Sequence, residues 1–583
     1  MNKTAIMKIV FLVLFSIVLT TTVALAFVFL PDDTTPSYSV KTINLPKNVK
    51  EPMYAHYTAS GNIIFQYKNT DDNQYYVGVI NDDGTNLHNI YNDEIKPFYN
   101  NTNGIRLMPF KDNKRILLGD GILECEPSID EVTDISKQTK IVPIEYPQEL
   151  IDMKGIFILW SEIIISPDNV HMGWTTLSTL GSTAFISRLE RQESTTNQQN
   201  FISPLIDLSK NKNVANGVKY VMKNVQIISD TYYSMEDPEN PGYILTPKYI
   251  HGGEIKQFTW DCQKVSFVGS ALQGLARSTL QNLEDSIVNP IGHEPGYDET
   301  TIISPNNKYG LVMSSRFSPH TNCAILGLLP RPYSALSLMP ITQSVYSYSI
   351  TGVRFTRRGN IGPALINLED SLNDNDYDRK YHGYDLHDPS DDSKYAFRSP
   401  MSWHYTSRRA IWTENVRNEV NNTRIRKVTL SEREFPSESE VKCVKETPDD
   451  IPYASDISVL ANMSLSLASG KIASSLGIEK GGYIDYQNTG LGSTLTYINF
   501  TDDGIYYYEG SEGHSINMAS STTSYHGDVK MYKKEGEQKT IIGEMNFKLT
   551  FSGSSENLKL VRKDSSGKAT YNGETVTVDD MED

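Results

Sequence analysis

The chain has 583 residues and a formal net charge of −17 at pH 7, from 54 Lys and Arg against 71 Asp and Glu. This acidic balance, with no basic stripe to offset it, repels phosphate backbones, so we expect no nucleic-acid binding. The length exceeds one ordinary core and predicts two or three units or one large repeat fold. With 38 Gly and 27 Pro, the composition excludes a collagenous or disordered polymer.

The N-terminal segment has the layout of a secretory signal. Two lysines precede an uncharged run over residues 9–30, and Ala24-Leu25-Ala26 is a small-residue cleavage site. Cleavage there predicts a signal peptide over residues 1–26 and a secreted, extracellular protein. The uncharged run is also long enough to span a bilayer. An uncleaved anchor that holds the protein at the cell surface is therefore the alternative, and this segment is the one predicted contact with a membrane.

One strand–turn–strand phrase recurs along the chain. It consists of an apolar strand, a tight turn with Pro, Asp or Asn, and a second apolar strand. The clear copies read IIISPDNVHMGWTT from Ile163, TIISPNNKYGLVMSS from Thr301 and SPMSWHYTSRRAIWTE from Ser399. Looser copies begin at Tyr57, Arg106 and Lys256.

The repeated phrase predicts an all-β fold. Several copies are followed by a second strand pair, as in residues 76–80 and 87–90 on either side of Asn81-Asp82-Asp83-Gly84. Six four-stranded sheets that cannot bury their own faces favour radial stacking into a six-bladed β-propeller. Uneven spacing between copies leaves two β-sandwiches as the alternative. Apolar residues at helical spacing over residues 271–287 fit an inserted amphipathic helix instead of strands.

The segments ISPDNVHMGW, ISPNNKYGLVMSSR and VGVINDDGTNLHNI resemble the blades of TolB-type, WD-like six-bladed β-propellers. In that family an SPDG-type strand pair is followed by a VVNADG-type pair. The resemblance covers roughly residues 38–435, and the second and fourth copies depart from it. These propellers serve as interaction scaffolds, peptidase gates and lyases alike, so the resemblance implies a fold and no particular activity. It also implies that residues 39–45 supply the strand that closes the ring.

The C-terminal part is predicted to be a separate β-domain. Residues 436–465 form a linker, and residues 466–583 form a small antiparallel β-sandwich or open barrel. Residues 544–551 alternate between apolar and polar, as in a strand with one buried face. Hairpin turns are predicted at Asp502-Asp503-Gly504 and at Asn572-Gly573. Tyrosines crowd residues 483–508, where they would form core and cross-strand pairs or a surface for sugar stacking.

The sequence contains no G-x-S-x-G, H-E-x-x-H or P-loop motif, so the catalytic residues are unknown and no cofactor is evident. Polar residues next to the inner strands are the ligand-binding candidates: His251, Glu254, Asp298, Glu299, Arg316 and His404. At one mouth of the propeller funnel they could bind a divalent cation or a sugar. The alternative is that these charged residues only stabilise the funnel, through ion pairs and hydrogen bonds within the protein. Oligogalacturonate lyases of similar fold hold a metal by several histidines, but no spacing among the 11 histidines singles out such a set.

These features predict a non-enzymatic scaffold that binds a protein or carbohydrate partner at a propeller face. The alternative function is an extracellular carbohydrate-active enzyme, a polysaccharide lyase or glycosidase, with the C-terminal domain as an accessory module. Paired carboxylates need proximity and not sequence spacing, so the sequence leaves a glycosidase open.

Covalent modification fits an exported chain. Four cysteines (Cys125, Cys262, Cys323 and Cys443) lack metal-binding spacing, and an even number permits two disulfides in an oxidising compartment. Cys262 with Cys323 is the preferred pair, because the two would lie on neighbouring repeats. The alternative is that some cysteines stay small buried hydrophobes. The glycosylation candidates are Asn100, Asn421, Asn462 and Asn499.

Overall fold

The computed structural model of the chain describes residues 37–92, 107–118, 121–152, 159–178, 181–194, 214–230, 241–243, 251–270, 277–285, 287–292, 298–317, 329–332, 362–374, 381–387, 395–416, 419–431, 445–458, 469–553 and 559–581. Within these residues β-strands dominate and confirm the predicted all-β class. The helices are short: α1 (Ile135–Gln138), α2 (Gln148–Asp152), α3 (Leu368–Asn373) and α4 (Ile478–Gly481), with 3-10 turns at Ile129–Glu131, Arg562–Asp564 and Val578–Asp580.

The strands up to residue 430 build the first part of the molecule. They are β1 (Tyr38–Thr42), β2 (Val49–Tyr57), β3 (Ile63–Asn69), β4 (Tyr75–Ile80), β5 (His88–Tyr91), β6 (Leu107–Pro109), β7 (Arg115–Leu118), β8 (Gly121–Cys125), β9 (Thr139–Glu145), β10 (Leu159–Ile165), β11 (His171–Ser178), β12 (Gly181–Glu193), β13 (Val218–Asp230), β14 (His251–Phe258), β15 (Lys264–Ser270), β16 (Arg277–Asn282), β17 (Val288–Pro290), β18 (Asp298–Ile303), β19 (Tyr309–Ser314), β20 (Gly362–Asn367), β21 (Tyr384–Asp385), β22 (Tyr395–Trp403), β23 (Arg409–Val416) and β24 (Glu419–Leu430).

These strands form four-stranded antiparallel meanders. Five are contiguous in the chain, namely β2–β5, β6–β9, β10–β13, β14–β17 and β18–β21, and the sixth consists of β22–β24 with β1. The first strands of the six meanders contact one another in ring order, and β22 returns to β2. The sheets therefore stand around a central axis as a β-propeller, and the alternative of two sandwiches is wrong. A parallel contact between β13 and β9 also links the second and third meanders.

Strand β1 closes the ring. It pairs antiparallel with β24, from Tyr38 opposite Leu430 to Thr42 opposite Arg426. The predicted closing strand is thus confirmed, although it begins and ends a little earlier than residues 39–45. The first strand and the last meander are distant in sequence, so this pairing joins the two ends of the propeller directly.

Each copy of the repeated phrase folds as the first two strands of a meander. In every connecting turn, the N–H of the fourth residue donates to the carbonyl of the first, and the fourth residue has a positive φ. Those fourth residues are Gly61, Asn113, Asn169, Cys262, Asn307 and Ser407. At Gly61 a Cβ atom would lie 2.3 Å from His404 Nε2, so close packing as well as φ requires glycine there.

The predicted amphipathic helix over residues 271–287 is wrong in its described part. Residues 277–282 form β16, which pairs with β15 on one side and β17 on the other. Leu280 and Leu283 are buried, but Ile287 is 55% exposed. The helical spacing of these apolar residues is therefore a coincidence of a strand and its turn, and they do not share one buried face.

The C-terminal strands form one antiparallel sheet around its own core. They are β26 (Gly470–Ala473), β27 (Tyr483–Asn488), β28 (Gly492–Phe500), β29 (Tyr506–Asn517), β30 (Thr522–Glu535), β31 (Gln538–Ser552), β32 (Lys559–Leu560), β33 (Ser566–Tyr571) and β34 (Glu574–Thr577). We call this the tail sheet. The apolar residues of the alternating stretch 544–551 are buried in it as predicted, and both predicted hairpin turns are present.

Two segments outside the meanders contact parts of the molecule that are distant from them in sequence. Leu329 and Arg331, which lie between β19 and β20 in the chain, are buried with the core of the tail sheet. Residues 445–458, which we call the strap, run along the third and fourth meanders and add β25 (Ser455–Asp456) beside β13. The predicted linker thus makes specific contacts, whereas the predicted domain division at residues 435 and 465 stays a prediction.

None of the helices in the described part of the chain is long and apolar enough to cross a membrane. The predicted signal peptide, residues 1–26, and its alternative as an anchor lie outside that part.

Candidate functional site

The two ends of the propeller axis differ in chemistry. We call the end where the first strands of the meanders begin the strand-start face, and the end that carries the six connecting turns the strand-end face. Glu254, Asp298 and Glu299 lie at or near the beginnings of β14 and β18, on the strand-start face. His251 is the first residue of β14, but its side chain lies outside the described part of the structure.

Glu254 is neutralised within its own strand. The ammonium of Lys256 lies 2.5 Å from Glu254 Oε2, and the Lys256 side chain is completely buried. A buried lysine of this kind needs a carboxylate close by, because an unpaired charge is costly in an apolar environment. Glu254 therefore stabilises Lys256. This agrees with the alternative in which the funnel charges have a structural role only.

Asp298 and Arg316 form a second buried ion pair. Arg316 Nη2 lies 2.9 Å from Asp298 Oδ2, and Arg316 also donates to the carbonyl of His382. At Gly292 a Cβ atom would come within 2.2 Å of Asp298 Oδ2, so glycine makes room for the pair. Asp298 begins β18 and Arg316 follows β19, so the pair links the two ends of one hairpin within the fifth meander. Glu299, the next residue along β18, is half-buried.

His404 lies at the opposite end of the axis from these carboxylates. It is the first residue of the sixth connecting turn, on the strand-end face, and is 3% exposed. Its Nδ1 accepts a hydrogen bond from the backbone N–H of Thr406, and its ring stacks on Tyr405 with centroids 4.3 Å apart. Burial lowers the pKa of His404 to about 3, so the ring is neutral near pH 7. The structure therefore separates His404 from the other candidates and gives it a turn-forming role.

A small cavity lies on the axis near the strand-end face. Its volume is about 60 Å³, room for a few water molecules. The walls come from all six first strands and the turns that follow them: His56, Tyr57, Met108, Pro109, Lys111, Ile163, Ile164, Ile165, Pro167, Lys256, Gln257, Phe258, Trp260, Thr300, Ile302, Pro400, Met401, Ser402 and Trp403. A sugar ring would need more space than this cavity has.

A much larger groove opens beside the ring closure on the strand-start face. Its volume is about 840 Å³, within the range of known ligand sites. One wall is formed by residues 43–52, from the end of β1 to the beginning of β2, and the other by residues 419–424 at the beginning of β24. Lys47 and Lys50 are exposed in this groove, and neither forms an ion pair with a residue of the described ranges.

Sequence reasoning missed both the groove and Lys111. The groove lies where β1, near the beginning of the chain, pairs with β24 of the last meander. No local sequence pattern indicates a contact between segments so distant in sequence. Lys111 did have a signal, because it occupies the position of Pro167 and Pro305 when the six turns are aligned by their positive-φ residues. The other five turns have Ala59, Pro167, Trp260, Pro305 and Tyr405 at this position, so Lys111 is the one charged residue in that alignment.

Among the residues whose placement is described, no three His, Cys, Asp or Glu side chains are arranged to hold a metal ion. Of the glycosylation candidates, Asn421 is exposed and lines the groove. Asn499 is half-buried and its Oδ1 accepts a hydrogen bond from Lys539. Asn100 and Asn462 lie outside the described residues.

The described cysteines are both buried. Cys125 is a free thiol whose pKa burial raises to about 12, so it is inert as a nucleophile. Cys262 lies in the fourth connecting turn with its Sγ 3.6 Å from Ser166 Oγ. Cys323 and Cys443 lie outside the described residues, so the predicted pairing of Cys262 with Cys323 stays a prediction.

No family model matches the chain, and no curated protein matches it. Among solved structures it is similar to TolB from Acinetobacter baumannii, at 10% identity over 70% of this chain and 82% of that one, with a TM-score of 0.25. It is also similar to an oligogalacturonate lyase from Vibrio parahaemolyticus, at 8% identity over 69% and 98% of the two chains, with a TM-score of 0.31. An aldose sugar dehydrogenase from Streptomyces coelicolor, in its PQQ-bound form, matches at 8% identity over 68% and 100%, with a TM-score of 0.31. Likenesses this weak carry no inference about function.

Proposed function

We propose that this protein is a non-enzymatic binding scaffold, secreted or held at the cell surface by its N-terminal segment. In this proposal the body is a six-bladed propeller of TolB type, and a protein or carbohydrate partner binds the strand-start face in the groove formed by residues 43–52 and 419–424. The open groove is the observation that carries the proposal, because its size suits a ligand and its rim offers charged and amide side chains.

The polar groups of the groove are available for contact. Lys47 and Lys50 are exposed, and Asn421 and Asn422 present amide groups on the opposite wall. Leu45 and Val49 add half-buried apolar surface between them. A few polar groups placed around an apolar floor are typical of sites that bind both peptides and sugars.

The carboxylates of the funnel are better placed for a scaffold than for an enzyme. Glu254 pairs with Lys256 and Asp298 pairs with Arg316, so each carboxylate already serves a buried cation. A glycosidase needs two carboxyl groups that face one cleft and remain available to substrate. Each of these ion pairs lies within a single meander, where it compensates a buried cation.

The proposal is tested with the chain from residue 27 onwards, immobilised and screened against a glycan array and a set of extracellular protein domains. Any partner found is measured again with Lys47→Glu/Lys50→Glu and with Lys114→Glu, an exposed lysine on the strand-end face. We expect the double variant to weaken binding at least tenfold and the control to leave it unchanged.

Equal binding by the double variant and the wild type would place the partner elsewhere and overturn the groove assignment. Cleavage of any arrayed glycan, detected as released product, would overturn the non-enzymatic part.

A further inference from the structure

Lys111 reaches across the strand-end face to the axial cavity. It is the second residue of the turn between β6 and β7, and its backbone N–H donates to Asn169 Oδ1 at 2.6 Å in the third meander. Its ammonium lies 3.9 Å from the centre of the Trp260 ring in the fourth meander. The turn is therefore held in place by one neighbouring sheet while its side chain spans to another, beside the cavity that both residues line.

Among the described residues, the cavity has one positive charge without a carboxylate partner. Two lysines line it, and none of the described lining residues is a carboxylate. Lys256 is paired with Glu254, whereas Lys111 forms no hydrogen bond or ion pair through its ammonium with any residue in the described ranges. Burial lowers the pKa of Lys111 to about 8, with no carboxylate nearby to raise it. Lys111 as a whole is half-buried and its ammonium lies on the Trp260 ring, so an anion in the cavity would offset the cost of its partial desolvation.

A second polar group in the cavity has no hydrogen-bond partner in the part of the chain that the structure describes. Thr300, in the middle of β18, is 1% exposed, and its hydroxyl makes no hydrogen bond to another described residue. Buried hydroxyls are normally paired with protein, water or a ligand. Thr300 lines the same cavity as Lys111, so an oxygen ligand placed there would satisfy both groups.

We propose that the axial cavity is a binding site for a short-chain monocarboxylate, whose two oxygens accept hydrogen bonds from Lys111 and Thr300. The volume of about 60 Å³ suits an anion of about four non-hydrogen atoms, such as acetate. The remaining wall is apolar, with Ile163, Phe258 and Met401 available to pack against a methyl group. An amphipathic anion matches this division of charged and apolar surface, whereas a bare halide would leave the apolar wall without a contact.

The site is separate from the groove of the proposed function and does not depend on it. Binding at this site should also be accompanied by proton uptake, because a bound anion stabilises the charged form of Lys111. The other titratable groups around this lysine are His56, His404 and the Lys256–Glu254 pair. His404 stays neutral across the range of interest, and the Lys256–Glu254 pair is already formed.

Isothermal titration calorimetry with sodium acetate, against sodium chloride at matched ionic strength, tests the proposal on the chain from residue 27 onwards. We expect saturable 1:1 binding of acetate and none of chloride. At pH 8, buffers of different ionisation enthalpy should reveal uptake of up to about half a proton per acetate, falling towards zero at pH 6.

Lys111→Met and Thr300→Val should each weaken acetate binding about tenfold or more, and Lys114→Met, on the same turn but exposed, should bind as the wild type does. Thr300→Val preserves shape, so it remains informative if Lys111→Met fails to fold. Absence of a heat of binding, equal responses to acetate and chloride, or unchanged affinity in Thr300→Val would each overturn the proposal.

Discussion

Arg331 and Glu512 form a fully buried ion pair in the core of the tail sheet. Arg331 Nε lies 3.1 Å from Glu512 Oε1, and both side chains are within 1% of complete burial. Glu512 also accepts hydrogen bonds from the hydroxyls of Tyr497 at 2.6 Å and Tyr525 at 2.9 Å. Burial opposes ionisation of Glu512, but the charge of Arg331 prevails and lowers the pKa of the carboxyl group. The network thus ties a segment from the propeller side of the chain into the tail sheet.

Removing one partner of this pair should be far more damaging than removing the charge from both. Arg331→Met leaves a buried carboxylate unpaired, so we expect a loss of about 3–5 kcal/mol in the free energy of unfolding. Adding Glu512→Gln keeps an acceptor for the two tyrosines and should recover at least half of that loss. Urea denaturation followed by tyrosine fluorescence measures the free energy of unfolding of the single and the double variant. Lys530→Met, at an exposed position, is the control. A single variant as stable as the wild type would show that the pair does not anchor the segment.

Such residue-level contacts were the least predictable from sequence. Arg331 lies between Pro330 and Pro332, a context that reads as an ordinary loop and gives no hint of a buried partner 181 residues away. Asp298 and Arg316 flank the same hairpin, β18–β19, so their contact follows from local geometry. Contacts within one meander can be predicted in this way, whereas pairs between distant segments depend on the complete fold.

At the scale of elements, the strap over residues 445–458 is bound to the propeller through the buried side chain of His171. His171 lies with Nδ1 2.7 Å from Asp168 and Nε2 2.9 Å from Asp449, and Asp449 also lies 3.1 Å from Arg188. Burial works against the protonated ring, but the two carboxylates prevail and raise the pKa of His171. The pKa values of Asp168 and Asp449 are lowered in turn by their hydrogen bonds to His171.

The stability of the contact between the strap and His171 should fall both at high pH and at low pH. Because the pKa of His171 is raised on folding, its contribution is complete below about pH 6.5 and is lost as the pH rises through the folded value. The two aspartates contribute fully above about pH 4 and lose this contribution as the pH falls. Between those limits, Asp449→Asn should reduce hydrogen-exchange protection of the strap about fivefold, which corresponds to about 1 kcal/mol.

The matched control for the strap is Asp450→Asn, which removes the neighbouring charge but can still accept from Asn224. Comparing variants at one pH cancels the intrinsic exchange rate. The effect of Asp449→Asn should shrink as the pH rises through the raised pKa of His171 and the ring loses its proton. Equal protection of the two variants at pH 5.5 would contradict the assignment.

The strap also bears on the disulfide of Cys262. Gln263 donates to the carbonyl of Lys445 at 3.2 Å, and Ser166 lies within 3.6 Å of the Cys262 sulfur and 2.8 Å of the Thr447 hydroxyl. Cys443 precedes Lys445 by two residues, a reach of at most ~7 Å. We therefore expect a non-reducing peptide map of the oxidised protein to show Cys262 with Cys443. Recovery of the Cys262–Cys323 peptide would instead support the pair favoured by sequence.

The strands and hairpins could be predicted wherever the residues that define them are adjacent in the sequence. The repeated phrase carries its own turn chemistry, with Asn113, Asn169 and Asn307 at the positive-φ position, so all six hairpins could be found from sequence. The false helix over residues 271–287 shows the limit of this reasoning. A few leucines can satisfy a helical period by chance, and only pairing with β15 and β17 decides that residues 277–282 form a strand.

At the scale of the whole molecule, two independent sets of contacts close the ring between the beginning of the chain and the sixth meander. Strand β1 pairs with β24, and Asp82 of the first meander binds Arg409 and Lys427 of the sixth at 2.6 and 3.0 Å. Burial opposes ionisation of Asp82, but hydrogen bonds from Tyr57, Lys427 and Arg409 lower its pKa. The closing strand could be predicted through the family resemblance, whereas the Asp82 contacts could not, because their partners are 327 and 345 residues away in the chain.

Removing the closing strand should therefore weaken the propeller without unfolding the tail sheet. A chain that begins at Ser37 retains β1, and one that begins at Ile43 lacks it, so the two form a matched pair. All five tryptophans lie between residues 160 and 412, which makes their fluorescence a report on the propeller alone. Loss of a five-residue ladder exposes the edge of β24, and we expect the midpoint of thermal unfolding seen by tryptophan to fall by about 5 °C or more. The Asp82 contacts should keep the shortened ring folded at 25 °C. Identical midpoints for the two chains would mean that β1 does not contribute to closure, and loss of the tryptophan transition altogether would mean that the Asp82 contacts cannot hold the ring without it.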